Sequence, residues 1–197
     1  VKKLNDRLDG EKIHLELTDL HPNPSLVRKF ENDKPAHLSY RSTPLDATRL
    51  NQAPEGLKTM INSFHHMPPD QARQILQSAQ ENDAPLLIYE MAQNKIPTFL
   101  WWLFLPLSLL ILIVMTLFMT PFVRPLSLQQ LLFTYLIPII PLVYAWDGQA
   151  SLVRMYSFGD VEELLKSLPP SDYQWQVAPA KKQNRREQGY YILGLPS

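Results

Sequence analysis

The sequence predicts an α/β fold, a doubly wound sheet of alternating strands and helices, interrupted by an apolar helical hairpin. Three observations carry this. Short apolar or alternating runs end in turn residues, at Ile13–Asp19, His37–Arg41, Leu57–Phe64 and Pro85–Met91. Amphipathic helical patterns follow two of the later elements, and the chain closes on an antiparallel strand pair, which is the order expected of a layered α/β domain. Two uncharged stretches, roughly Thr98–Phe122 and Leu126–Trp146, separate the fourth strand from the last helix.

Each element follows from its residues. Val1, Leu4 and Leu8 share one helical face, but no N-cap precedes them, which suggests a processed or fragmentary start. Ile13-His14-Leu15-Glu16-Leu17-Thr18-Asp19 alternates and stops at the turn His21-Pro22-Asn23-Pro24. After the third strand, Pro68-Pro69-Asp70 opens a helix with Ala72, Ile75, Leu76 and Ala79 on one face. Pro85–Met91 is apolar enough for a parallel strand buried on both faces. Gly159–Leu168 reads as the last helix, with Val161, Leu164, Leu165 and Leu168 inward. Tyr173–Val177 and Tyr190–Leu195 form the closing pair across the charged turn Lys181–Gly189.

The 197 residues suffice for a real core. The 19 basic and 19 acidic side chains cancel, and the pI is near 7.1, so general electrostatic attraction to nucleic acid is not expected. Without cysteine there are no disulfides or thiolate metal sites. The five histidines lack zinc-site spacing, so no metal is expected. No nucleophile motif or phosphate-binding Gly-rich loop supports hydrolase or nucleotide-triphosphate chemistry.

A mean hydropathy of −0.17 hides a sharp division. Thr98–Val123 is 26 residues without a charge, about 39 Å of helix against roughly 30 Å of hydrocarbon. Pro125–Trp146 adds 22 more, interrupted by Gln129, Gln130, Pro138 and Pro141. Trp101, Trp102, Tyr144 and Trp146 lie near the outer ends, where aromatic rings favour the membrane interface. Arg124 marks the tip, placed to snorkel to the far headgroups. The expectation is a two-span or re-entrant hairpin in a membrane, its lipid the first partner, with both soluble parts on one side, the cytoplasmic one. Asp147 and Arg154 either pair across a turn at the exit or anchor the interface.

From its second strand onward the chain resembles the class I S-adenosylmethionine-dependent methyltransferases over about 140 residues, with the hairpin as an insertion. Leu15-Glu16-Leu17-Thr18-Asp19-Leu20 looks like the strand whose terminal acid holds the cofactor ribose. Leu45-Asp46-Ala47-Thr48 looks like the adenine-binding segment. Asn62-Ser63-Phe64-His65-His66 resembles the loop beside the methyl donor. The resemblance implies a Rossmann-like methyltransferase sheet and S-adenosylmethionine as cofactor. It implies cofactor contacts from Asp19, Leu20, Asp46, Ala47, Asn62 and Phe64, and His65 or His66 as substrate contact or base. The family's Gly-rich loop is absent, as if the first strand and its turn were missing.

Local alternatives stand beside these roles. Asp19 and Asp46 also suit plain strand-end turns, and one histidine also suits capping the helix near Pro69. Glu90 ends its strand where it would face the crevice. The expected organisation is 1–96 and 148–197 as methyltransferase-like α/β parts flanking the hairpin 97–147. The expected function is methyl transfer to a small, lipophilic acceptor, and the alternative is an inactive membrane-anchored scaffold.

Overall fold

The computed structural model describes residues 1–91, 97–181 and 187–197. Most of the expected Lys181–Gly189 turn falls outside them. Among the described residues six strands form two sheets. β1 (Leu15–Leu17) and β2 (Leu38–Tyr40) pair in parallel. β3 (Lys58–Ile61), β4 (Leu86–Glu90), β5 (Gln174–Lys181) and β6 (Glu187–Leu195) form a mixed sheet in the order β3-β4-β6-β5. β3 and β4 run parallel, and β6 lies antiparallel between β4 and β5. The α/β class and the closing antiparallel pair are as the sequence predicts. The strands, however, divide between two sheets.

The α-helices among the described residues are α1 (Lys2–Asn5), α2 (Pro24–Asp33), α3 (Pro69–Glu81), α4 (Thr98–Met119), α5 (Leu128–Leu131), α6 (Ile139–Arg154) and α7 (Phe158–Lys166). The strand-and-turn reading misses α2. It starts where the Asn23 side-chain oxygen, Oδ1, accepts the Ser25 N–H (2.9 Å), with Pro24 at the first helical position. Its three large apolar residues, Leu26, Val27 and Phe30, make too thin a stripe to stand out. Phe30 packs on Tyr40 of β2.

The core forms where α3 lies on the mixed sheet. Ala72, Ile75, Leu76 and Ala79 are all fully buried, in one cluster with Leu86, Ile88, Val161, Tyr190 and Ile192. These are the positions the helical spacing selects. Each large side chain so buried contributes about 1.5–3 kcal/mol. α7 begins on a reciprocal cap, Ser157 Oγ accepting the Asp160 N–H while Asp160 Oδ2 accepts the Ser157 N–H (2.7 Å).

Tyr173 donates its hydroxyl to the Ala84 carbonyl (2.6 Å). Burial, with Asp83 adding to it, pushes this phenol up to about 12. A raised native value means stability that is whole below the ordinary tyrosine range and lost as pH rises toward the native value. Between about pH 10 and about 12, unfolding should therefore become easier. Phenolate absorbance should show Tyr173 ionising late or only with unfolding. Ionisation of all eight tyrosines together near pH 10 in folded protein would refute this.

The first apolar segment folds as expected: α4 continues into a 3₁₀ turn, and Thr98–Phe122 is long and apolar enough to cross a membrane. Only 11% of its most apolar window is buried. The second segment departs from a single span. α5 passes into a π turn, Leu132–Leu136, and the chain bends by 79° before α6. Pro138 stands at the break; it has no N–H to donate and its ring obstructs helix continuation. α6 then runs beyond Trp146 to Arg154, so the expected exit turn is helix. Asp147 and Arg154 lie seven residues apart on it, with no ion pair between them among the described residues. Arg124, exposed at the tip, bonds the carbonyls of Pro121 (2.8 Å) and Val123 (3.0 Å). α4 and α6 pack closely, with Gly148 against Leu112.

Candidate functional site

Parallel pairing brings the carboxyl ends of β1 and β2 together, and those of β3 and β4 likewise. Two groups of predicted residues sit at these ends. In the first, the Asp19 carbonyl accepts the Leu45 N–H (2.9 Å), fastening the loop after β1 to the loop after β2. The exposed Asp19 carboxylate accepts the His21 N–H through Oδ1 (2.8 Å). Asp46 Oδ1 accepts the Thr48 N–H (2.9 Å) and hydroxyl (2.7 Å). Those two bonds, with Arg49 adding a smaller pull, hold the Asp46 carboxyl below its ordinary range. Each aspartate thus closes a local turn with Oδ1, while Oδ2 meets no hydrogen-bond partner among the described residues. Leu20 is exposed and Ala47 half-buried beside them.

The second group is built on Glu90. Its side chain is 0% exposed. Oε1 accepts the N–H groups of Phe64 (2.8 Å) and His65 (3.3 Å), and Oε2 meets His65 Nδ1 at 2.7 Å. A carboxylate partner makes Nδ1 the donor, so in the neutral ring Nε2 is the acceptor. Asn62 adopts φ +50°, donates its N–H to the Tyr89 carbonyl (2.8 Å) and accepts the Met91 N–H at Oδ1 (2.7 Å). These bonds make the end of β4 and the turn after β3 one unit.

The histidines differ. His65 is buried; His66 is exposed, its ring 4.2 Å from that of His65. Neither caps α3, whose N-cap is Pro68 without a side-chain bond. The Phe64 ring belongs to the core, 5.3 Å from that of Tyr156, whose hydroxyl donates to the Met67 carbonyl (2.7 Å). α6 packs against this same turn, so the hairpin base touches the His65–Glu90 pair's support.

Glu90 is therefore not a crevice-facing group but the buried anchor of the turn. The sequence signal was a lone carboxylate in the apolar run Pro-Leu-Leu-Ile-Tyr-Glu, which either faces water or collects donors. Tyr190 lies opposite Glu90 in the β4–β6 ladder, its buried hydroxyl without a partner among the described residues. Burial first, then the nearby acids, push that phenol above its ordinary value. Nothing in the sequence marked it.

A cavity of about 350 Å³ lies elsewhere, between β1 and β3. Its walls include His14, Glu16, Thr18, Thr59 and Met60, and of the expected cofactor contacts it takes Ala47. Among the described residues no three His, Asp or Glu side chains converge to hold a metal ion.

These features define a mixed α/β protein bearing an exposed apolar helical insertion beside a buried His–Glu pair. No family model matches the chain, and no curated protein does. A solved structure described as "A Pericyclic Reaction enzyme" is similar, with a TM-score of 0.50 and 12% identity, over 100% of this chain and 39% of that one. At that identity the likeness concerns the fold alone, and the chain spans well under half the length of that protein.

Proposed function

We propose that this is a membrane-anchored methyltransferase-like protein, with a Rossmann-like sheet that binds S-adenosylmethionine and directs its methyl group to a small, lipophilic acceptor. One observation carries the reading: the loops after β1 and β2 present two locally braced aspartates, each with an Oδ2 that meets no partner among the described residues. Asp19 has an acceptor for the ribose hydroxyls and Asp46 one for the adenine amino group, with Leu20 and Ala47 flanking. Such a cofactor supplies an electrophilic methyl carbon, and transfer then depends mainly on positioning and exclusion of water.

The residues fit the nucleoside end better than the methionine end. Asn62 spends its side-chain oxygen on Met91, and the Phe64 ring is in the core. His66 is the exposed ring of the pair, and His65, held through Nδ1, orients it. That inward use of Asn62 and Phe64 favours the second reading, a catalytically silent scaffold with the same fold.

The hairpin supports the membrane part. Phe99, Trp102, Leu103, Phe104, Leu107 and Phe118 all stand exposed along α4, a continuous apolar surface that lipid would cover. Two spans, the second bent, return the chain to one side, here taken as cytoplasmic. The protein should stay with membranes through alkaline carbonate washing and leave them once 97–146 are deleted; pelleting of the deletion variant would refute the anchor. Calorimetric titration of the detergent-solubilised protein with S-adenosylmethionine should show binding that Asp19→Ala and Asp46→Ala each weaken about tenfold or more. No heat at millimolar ligand, with the fold intact, would leave the scaffold.

A further inference from the structure

The second apolar segment breaks where its polar groups are least served. In the π turn, Ile137 donates its N–H to the Leu132 carbonyl, five residues back (2.9 Å). Pro138 has no N–H to give, and Ile139 donates to the Ile137 carbonyl (2.6 Å). The Thr134 carbonyl therefore receives none of the N–H groups of residues 137–139, those that could serve it in a helix. The Thr134 side chain shares this lack. It is 0% exposed, and its hydroxyl has no partner among the described residues.

The neighbours of Thr134 face outward. Leu132, Phe133, Tyr135, Leu136 and Ile137 are all exposed, Leu136 by 77%. Lipid, and not protein, would therefore surround the break. Irregular backbone persists at membrane depth only where it is buried in protein or lines water, because hydrocarbon offers polar groups no partner. The side facing Thr134 is polar as well. Tyr135 donates its hydroxyl to the Leu117 carbonyl (2.6 Å), which lays the break against the far end of α4. The buried residues there are Thr116 and Thr120. Each gives its hydroxyl hydrogen to the carbonyl one turn back, that of Leu112 and of Thr116 (2.8 Å both). Their oxygens keep lone pairs for a further donor.

We propose that the break holds a bound water inside the hairpin, which accepts the Thr134 hydroxyl and donates to the Thr134 carbonyl and to the hydroxyl oxygen of Thr116 or Thr120. The set needs a donor and an acceptor in one small molecule, which water supplies. It does not suit an ion, since no Asp, Glu, Lys or Arg lies among residues 98–123 or 125–146 to balance the charge. The water carries the hydrogen-bond chain across the 79° bend, so the segment turns without leaving bare backbone in lipid. The inference rests on the membrane reading of the hairpin and is independent of the methyltransferase reading.

Transfer of magnetisation from water to the 197-residue chain in lipid nanodiscs tests it, with and without a water-soluble paramagnetic agent. Water contacts are expected at Thr134 and Tyr135 and none at Leu110–Val114. The agent should quench signals at Arg124 and leave those at Thr134 intact. A dry Thr134 would overturn the proposal. So would quenching there equal to that at Arg124, because the break would then open to bulk water. Water contacts at Leu110–Val114 as well would overturn the membrane reading itself, and this proposal with it. Thr134→Val gives a second reading, since it keeps the branched shape and removes the hydroxyl. It should abolish the water contact and lower the urea midpoint, while Thr134→Ser stays near the parent protein. An unchanged or raised midpoint for Thr134→Val would show that the hydroxyl had no partner to lose, and would overturn the site.

Discussion

Replacing Glu90 by alanine should destabilise the protein by about 3–5 kcal/mol, the range for removing one partner of a buried, hydrogen-bonded pair. The carboxylate is fully buried and serves three donors, the N–H groups of Phe64 and His65 and the His65 ring. Alanine leaves all three without an acceptor in a region water does not reach, and opens a void beside Tyr190. Glu90→Gln is the informative partner. Its oxygen still serves the two backbone donors, while its NH₂ faces Nδ1, and the ring must switch tautomer to accept. Roughly half the alanine cost is expected for it. Urea unfolding in mild detergent reads both, as a shift in midpoint at constant slope. A loss below about 1 kcal/mol for Glu90→Ala would show that the turn after β3 holds without this anchor.

Gly189→Ala should cost as much through a different cause. Gly189 has φ +81°, and a Cβ there would lie 1.8 Å from the Glu90 carbonyl oxygen and 2.8 Å from two further backbone carbons. Backbone atoms in a ladder cannot swing aside as a long side chain can, so β4 and β6 would have to part at the Glu90–Tyr190 pair. A loss on the order of 3 kcal/mol is expected, from strain and broken ladder bonds together. Gly56→Ala is the control. Gly56 also has positive φ (+107°), but an added Cβ would meet nothing within 4 Å. Its cost should stay near the conformational share alone, about 1–2 kcal/mol. Equal losses at the two positions would mean that β6 yields locally and that the close approach carries no constraint.

Much of the soluble layer was legible because its signals are local. The α3 face, the apolar strand Pro85–Met91 and the closing strand pair each announce themselves through spacing within a dozen residues. α2 was missed because its cap and proline were read as a turn, and its stripe is short. The hairpin shows the same divide. Absence of charge located both apolar segments, yet the 79° bend depends on how Pro138 and the π turn pack, which composition does not state.

The candidate site was legible as a set of positions and not as an arrangement. Asp19 and Asp46 do lie in the loops after their strands, but that each closes its own turn, and that Leu45 ties the two loops together, are facts of folded geometry. His65 and His66 look equivalent side by side; burial separates them, one bound to Glu90 and the other exposed.

By itself, then, the sequence determined the α/β class, the insertion and its apolar character, and which helix faces turn inward. Those depend on periodicity and on the transfer of apolar groups from water, both readable along the chain. Only the tertiary structure decided that Glu90 is an anchor and that β1 and β3 face each other across a gap. A buried carboxylate is stable only where donors from distant residues converge on it, and an open edge is defined by the strand that does not pair with it.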